Sequence, residues 1–197
     1  MNVPNRLSLL RMGLIPLIVG LRVFPYAQFN ISIPVFSFQG YTLSLLNIVI
    51  LLLFVFASFT DFLDGYISRK YKLVTTFGKF IDPIADKMLV TTMFIMFAVD
   101  GIVPMVIVLV MLWRDIMVDG LRMIASDAGI VMAAGYLGKL KTVLQMAAII
   151  VILLNNLPFE MVAFPMADFL LWFALIASIL SGASYLYQGK DVLLKSK

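Results

Sequence analysis

The chain contains neither cysteine nor histidine, which removes disulfides, thiolate metal sites, imidazole bases and the usual ligation of zinc or haem. Charge is scarce as well. Aspartate, glutamate, lysine and arginine make up 13% of the 197 residues, against 62% hydrophobic residues and a mean hydropathy of +1.05. A soluble domain carries about 25% charged residues, so this is the composition of an integral membrane protein. Internal repeats, low-complexity tracts and a separate soluble domain are also missing. A single membrane domain over 1–197 is expected, whose chemistry must use Asp, Lys, Arg and hydroxyl groups. The opening MNVPNRLSLLR has no small-residue cleavage site, so it reads as a retained segment with a short interfacial start.

What is present is apolar length. Runs of about 20 residues, enough to cross a bilayer core, can be placed six times, over 7–27, 43–68, 83–99, 103–126, 140–157 and 162–187. The expected fold is an all-α, six-transmembrane-helix bundle. Asp100-Gly101 with Pro104, and Asn155-Asn156 with Pro158, supply breaks between runs. The basic residues set the orientation. With a cytoplasmic N-terminus, Arg6, Arg69, Lys70, Lys72, Lys79, Lys139, Lys141, Lys190, Lys195 and Lys197 fall on one side, and only Arg22 falls near the other, where it is expected to snorkel. Both termini are then cytoplasmic, in the cell membrane. The net charge of +4 reads as a topology signal suited to anionic headgroups and carries no sign of nucleic-acid binding.

The informative charges lie where hydrocarbon would penalise them. Asp61 and Asp64 are three residues apart, and Gly65 and Ser68 continue the same helical stripe, so two carboxylates share a face with two small residues. Gly78, Asp82 and Asp86 repeat the arrangement at four-residue steps. Two like-charged pairs so close need cations, and carboxylate oxygens suit a hard divalent ion such as Mg²⁺ or Mn²⁺. The bland alternatives are structural ion pairing or an ion-conduction path. Further on, Arg114 with Asp115 and Asp119 with Arg122 can balance as pairs, and GKLKT at 138–142 adds Lys139 and Lys141.

Arg114, Arg122, Lys139 and Lys141 together would hold an anion, most plausibly a phosphate. Such a cluster suits a small molecule that carries a phosphate. Topology-setting charge and lipid contact are the competing explanation. The 16 phenylalanines and 13 methionines are expected at lipid-facing and packing positions. Ser178 and Gly182, with Ala183 and Ser184, offer a small-residue packing face and part of a dimer seam.

The pattern Asp61-x-x-Asp64-Gly65-x-x-Ser68-Arg69, followed by Gly78, Asp82 and Asp86, resembles the signature of the CDP-alcohol phosphotransferase family; Ser68 stands where the family usually has alanine. Asn2, Pro4-Asn5, Arg11, Arg114-Asp115, Gly120, Arg122 and GKLKT with Gln145 extend the resemblance, toward the branch that uses glycerol 3-phosphate, over nearly the whole chain. It implies a six-helix bundle, usually a homodimer, with a polar active-site cavity facing the cytoplasm. It further implies that Asp61, Asp64, Asp82 and Asp86 bind two divalent metals on the pyrophosphate of CDP-diacylglycerol. Gly65, Ser68 and Gly78 would make room for that donor, with Arg69 and Asn5 nearby. Asp86 would be the base that activates glycerol 3-phosphate. An inositol phosphate acceptor in the same family, or a cation transporter built on the aspartates, are the alternative functions.

Overall fold

The computed structural model describes the backbone of residues 3–38, 41–71, 76–130, 132 and 135–195, and the side chains of the same residues except 3–5, 38, 68, 69, 76–83 and 191–195. Six long helices carry the fold: α1 (Val3–Val23), α2 (Leu45–Lys70), α3 (Thr76–Val99), α4 (Met105–Asp127), α5 (Tyr136–Leu153) and α6 (Met166–Lys195). At 1.5 Å per residue, three of them are both long and apolar enough to cross a membrane, over Leu45–Ile67, Tyr136–Leu153 and Met166–Lys190. The other three are 21, 24 and 23 residues long. They carry most of the intramembrane charge that the sequence showed.

The ends of the helices have local causes. Ser44 caps α2, its hydroxyl accepting from the Leu46 amide at 3.2 Å. Pro104 leads into α4 after a turn in which Gly101 takes φ +72°, a conformation cheap only for glycine. Asn155 and Asn156, both at positive φ, end the α5 segment as their sequence promised. Several boundaries differ from expectation: α5 begins and ends four residues earlier than the 140–157 run, and α6 starts at Met166 and continues to Lys195, past position 187. Helix α3 begins at Thr76, well before position 83, so Gly78, Asp82 and Asp86 lie on one continuous helix. Helix α1 ends at Val23, and the stretch beyond it forms a 3-10 turn (Tyr26–Phe29) and an antiparallel hairpin of β1 (Val35–Phe38) and β2 (Tyr41–Ser44). Among the described residues this strand pair is the one departure from an all-α fold. Its short alternating pattern was hidden inside a polar-apolar connector.

The apolar core is built from all six helices, with Ile15, Ile18, Ile50, Phe54, Met93, Phe97, Ile107, Met111, Ile149, Leu153 and Leu171 at its centre. Large apolar side chains also cover the outside, among them Leu52, Phe56, Phe59, Phe62, Trp113 and Trp172. Such an outer surface suits lipid and not water. At the end of the bundle bearing the hairpin, Arg22 binds Asp100 of the chain after α3 (Nη2 to Oδ2, 2.7 Å) and Asn47 of α2 (2.7 Å). Arg22 is therefore a staple between helix ends and does not snorkel alone. Glu160 and Asp168, in and just after the connector that bonds the hairpin through Asn155, share this end, whereas the paired charges of α3, α4 and α5 line a cavity elsewhere.

Candidate active site

Helices α1 and α2 pack along their length, and this brings Ser8 and Arg11 against the aspartates of α2. Arg11 is completely buried. Its Nη1 donates to Asp61 Oδ1 at 2.5 Å, its Nη2 lies 3.6 Å from Asp64 Oδ2, and Ser8 Oγ donates to the same Asp64 oxygen at 2.9 Å. The three-residue step along α2 is what lets one guanidinium reach both carboxylates. Their surroundings differ. The Asp61 side chain is 42% exposed, whereas that of Asp64 is 2% exposed. Asp86, on the facing part of α3, lies within Coulombic range of Asp61, Arg11, Lys87 and Lys141.

Beside Asp86 opens a cavity of about 670 Å³ between α3, α4, α5 and α6, within the range of roughly 300–1,000 Å³ of small-ligand sites. All four predicted anion-binding residues, Arg114, Arg122, Lys139 and Lys141, line it, together with Lys87, Asp115, Asp119, Gln145 and Tyr185. Asp115 is a shared counter-ion, accepting from Arg114 Nη1 at 2.8 Å and from Lys141 Nζ. Arg114 also donates through Nε to the Ser178 carbonyl at 3.2 Å and through Nη2 to Ser181 Oγ. Arg122 donates to the Tyr185 hydroxyl, and its guanidinium carbon stands 4.8 Å from that ring's centre. Tyr185 also accepts from the Gly135 amide at 3.1 Å, which ties the connector before α5 to the cavity wall. The result is a rigid wall holding more cationic than anionic groups.

Some expected partners are corrected. Asp119 pairs with Lys87 across α3 and α4, and not with Arg122 one turn along its own helix. The interhelical contact places the ammonium nearer than the local step does. Ser178 and Gly182 are buried in the contact with α4, with Gly182 against Arg114, so these two small residues serve an internal helix seam, while Ala183 is exposed and Ser184 half-buried on the same helix. Arg11, which entered the sequence reading through the family resemblance, is the counter-ion of Asp61 and Asp64. Ser8, Lys87 and Tyr185 were missed as site residues. A charge inside an otherwise apolar run was the available signal for Lys87, while nothing in the local pattern marked Ser8 or Tyr185.

The side chains of Asn5, Ser68, Arg69, Gly78 and Asp82 lie outside those described, and Gly65 is half-buried on α2. Among the described residues no group of three or more carboxylates converges on one point. The donor set is nevertheless of one kind: oxygens from Asp61 and Asp64 on α2 and Asp86 on α3, with half of Asp61 open to ligand. Such donors fit a hard divalent cation and no soft one.

The comparisons with known proteins agree over the whole fold. The sequence profile of CDP-alcohol phosphatidyltransferase matches residues 1–180. The CDP-diacylglycerol--glycerol-3-phosphate 3-phosphatidyltransferase of Bacillus subtilis (strain 168) is 40% identical over 99% of this chain and 98% of its own length. Proteins of the same name from Rickettsia bellii and Rickettsia typhi are 37% and 38% identical over 93% of this chain, and 93% and 94% of theirs. Matched from its first residues through α6, the chain belongs to the CDP-alcohol phosphatidyltransferase family.

Proposed function

We propose that this protein transfers the phosphatidyl group of CDP-diacylglycerol to sn-glycerol 3-phosphate, giving phosphatidylglycerophosphate and CMP. The observation that carries this reading is the gathering of Asp86 and the four cations Arg114, Arg122, Lys139 and Lys141 around one cavity. It supplies a base beside a phosphate-holding wall, the pair of devices that a phosphorylated alcohol acceptor requires. The near full-length similarity to enzymes of that name supports the same donor and acceptor.

In this mechanism the wall of α4 and α5 grips the acceptor's phosphate and aims its sn-1 hydroxyl at Asp86. Asp86 takes the hydroxyl proton as the oxygen attacks the β-phosphorus that bears diacylglycerol; the bond to the bridging oxygen breaks and CMP departs with the electron pair. Asp61, Asp64, Asp82 and Asp86 would hold two divalent ions, Mg²⁺ or Mn²⁺, which when bound supply Lewis-acid neutralisation of the donor's pyrophosphate. Gly65, Ser68, Arg69 and Gly78, with Asn5, would receive the cytidine and phosphates, as the family signature implies. We read the six helices as six spans of the cell membrane, with both termini and the cavity cytoplasmic, in a homodimer.

A phosphate-holding wall would also accept an inositol phosphate, which is the reason to test acceptors in parallel. Purified protein in detergent, given CDP-diacylglycerol and Mg²⁺ or Mn²⁺, is assayed for CMP release with glycerol 3-phosphate, inositol phosphate or serine. Release dependent on glycerol 3-phosphate is expected. Release with another acceptor alone would retain the family and overturn the acceptor; binding of metal with no release under any condition would favour transport.

A further inference from the structure

Among the described residues Arg11 is the largest fully buried side chain, and it is charged. Its fork reaches Asp61 and Asp64 together, while its Nε and Nη2 have no hydrogen-bond partner. A guanidinium whose only task was to brace a helix pair would be expected to have its donors satisfied, since each unmet one carries a desolvation penalty. The buried Asp64 carboxylate needs compensation in a low-dielectric interior, and among the described contacts Arg11 is the charge that reaches both Asp64 and the half-open Asp61.

We propose that Arg11 is an internal counter-ion that stands in for the divalent cation when the aspartate pair is metal-free, and competes with it electrostatically when it binds. The inference rests on reading Asp61 and Asp64 as metal ligands. Asp61 is reachable from outside, while Arg11 holds its Oδ1 from the protein interior. A cation arriving on the open side meets a carboxylate already oriented but partly neutralised. Arg11 is thus a positioning residue whose charge keeps metal affinity below the limit set by its ligands. It allows the protein to fold with the site empty and to exchange its cation.

Free Mn²⁺ is followed by electron paramagnetic resonance during titration of detergent-purified full-length protein at pH 8, and thermal stability is read with and without Mn²⁺. In Arg11→Met, removal of the positive charge is expected to tighten Mn²⁺ binding by about tenfold, to lower the metal-free Tm, and to enlarge the Tm gain on adding Mn²⁺. Arg11→Lys, which retains the charge at reduced reach, should bind Mn²⁺ as the unaltered protein does, and keeps the proposal testable if Arg11→Met does not fold. In that case tenfold tighter Mn²⁺ binding by Arg11→Lys, despite its retained charge, would overturn the proposal. Unchanged or weaker Mn²⁺ binding in a folded Arg11→Met would overturn the counter-ion role. Absence of binding in the unaltered protein and loss of nothing in Asp61→Asn would instead overturn the metal-site reading beneath it.

Discussion

Gly182 of α6 lies directly against the Arg114 side chain of α4: a Cβ at position 182 would stand 2.9 Å from Arg114 Cγ. No side chain fits there without movement, and what must move is the stem of a cavity-wall arginine. The guanidinium is held by Asp115, Ser181 and the Ser178 carbonyl, so a shift of the stem strains all three bonds. Gly182→Ala should therefore fold but raise the KM for glycerol 3-phosphate by about tenfold, because small misplacements of a binding group are costly in rate. Steady-state kinetics at saturating CDP-diacylglycerol read this directly. An unchanged KM would mean that Arg114 does not touch the acceptor.

The Arg22–Asp100 staple makes the opposite prediction. It joins helix ends far from the cavity and is only partly shielded, with side chains 17% and 33% exposed. Asp100→Ala should cost about 1 kcal/mol of stability, at the upper end for an exposed pair, and leave kcat and KM unaltered. Thermal unfolding in detergent beside the activity assay checks both halves. A change in kcat without a change in Tm would show that the two ends of the bundle are coupled.

The helices were readable from the sequence because apolar length is a local property. So were the aspartate stripes, since three- and four-residue steps fix a helical face without any knowledge of neighbours. Partner choice was not. Asp119 had Arg122 one turn away, yet pairs with Lys87 on another helix. Arg11 sits in α1, 50 residues before Asp61, and only the packing of α1 on α2 joins them. The cations of the cavity wall were legible as one anion-holding group, and all four line the same cavity, while Tyr185, which anchors Arg122, looks in sequence like any aromatic residue of an apolar helix. The hairpin at 35–44 went unread because two four-residue strands give too short an alternation to stand out.

Removing a carboxylate from the wall should strengthen its grip on an anion. Asp119 occupies the Lys87 ammonium within the same cavity that holds the phosphate-binding cations. Asp119→Asn removes the negative charge and frees Lys87 to face the acceptor. The KM for glycerol 3-phosphate is expected to fall about threefold at low ionic strength, and the gain should shrink in high salt as screening sets in. A raised KM at every salt concentration would reveal Asp119 as an acceptor-binding group in its own right.

Asp86 and Lys139 allow the chemical and binding roles to be separated. Asp86 stands at the cavity edge within Coulombic range of Asp61, so it can serve both the acceptor hydroxyl and the aspartate cluster. Lys139 is exposed and lines the same cavity, on α5, the helix assigned to the acceptor's phosphate. Asp86→Asn keeps the shape and one oxygen but cannot take a proton, and should lower kcat by about 10²–10⁴-fold, the usual contribution of a positioned base, with donor binding partly spared. Lys139→Ala should raise the KM for glycerol 3-phosphate several-fold and leave kcat near its original value. Binding of CDP-diacylglycerol, measured separately by displacement of a labelled analogue, discriminates the two causes of lost turnover in Asp86→Asn. Retained donor binding with lost kcat places Asp86 at the proton transfer; full activity removes it from that step, and loss of donor binding in parallel with kcat would assign it to holding the pyrophosphate's cation instead.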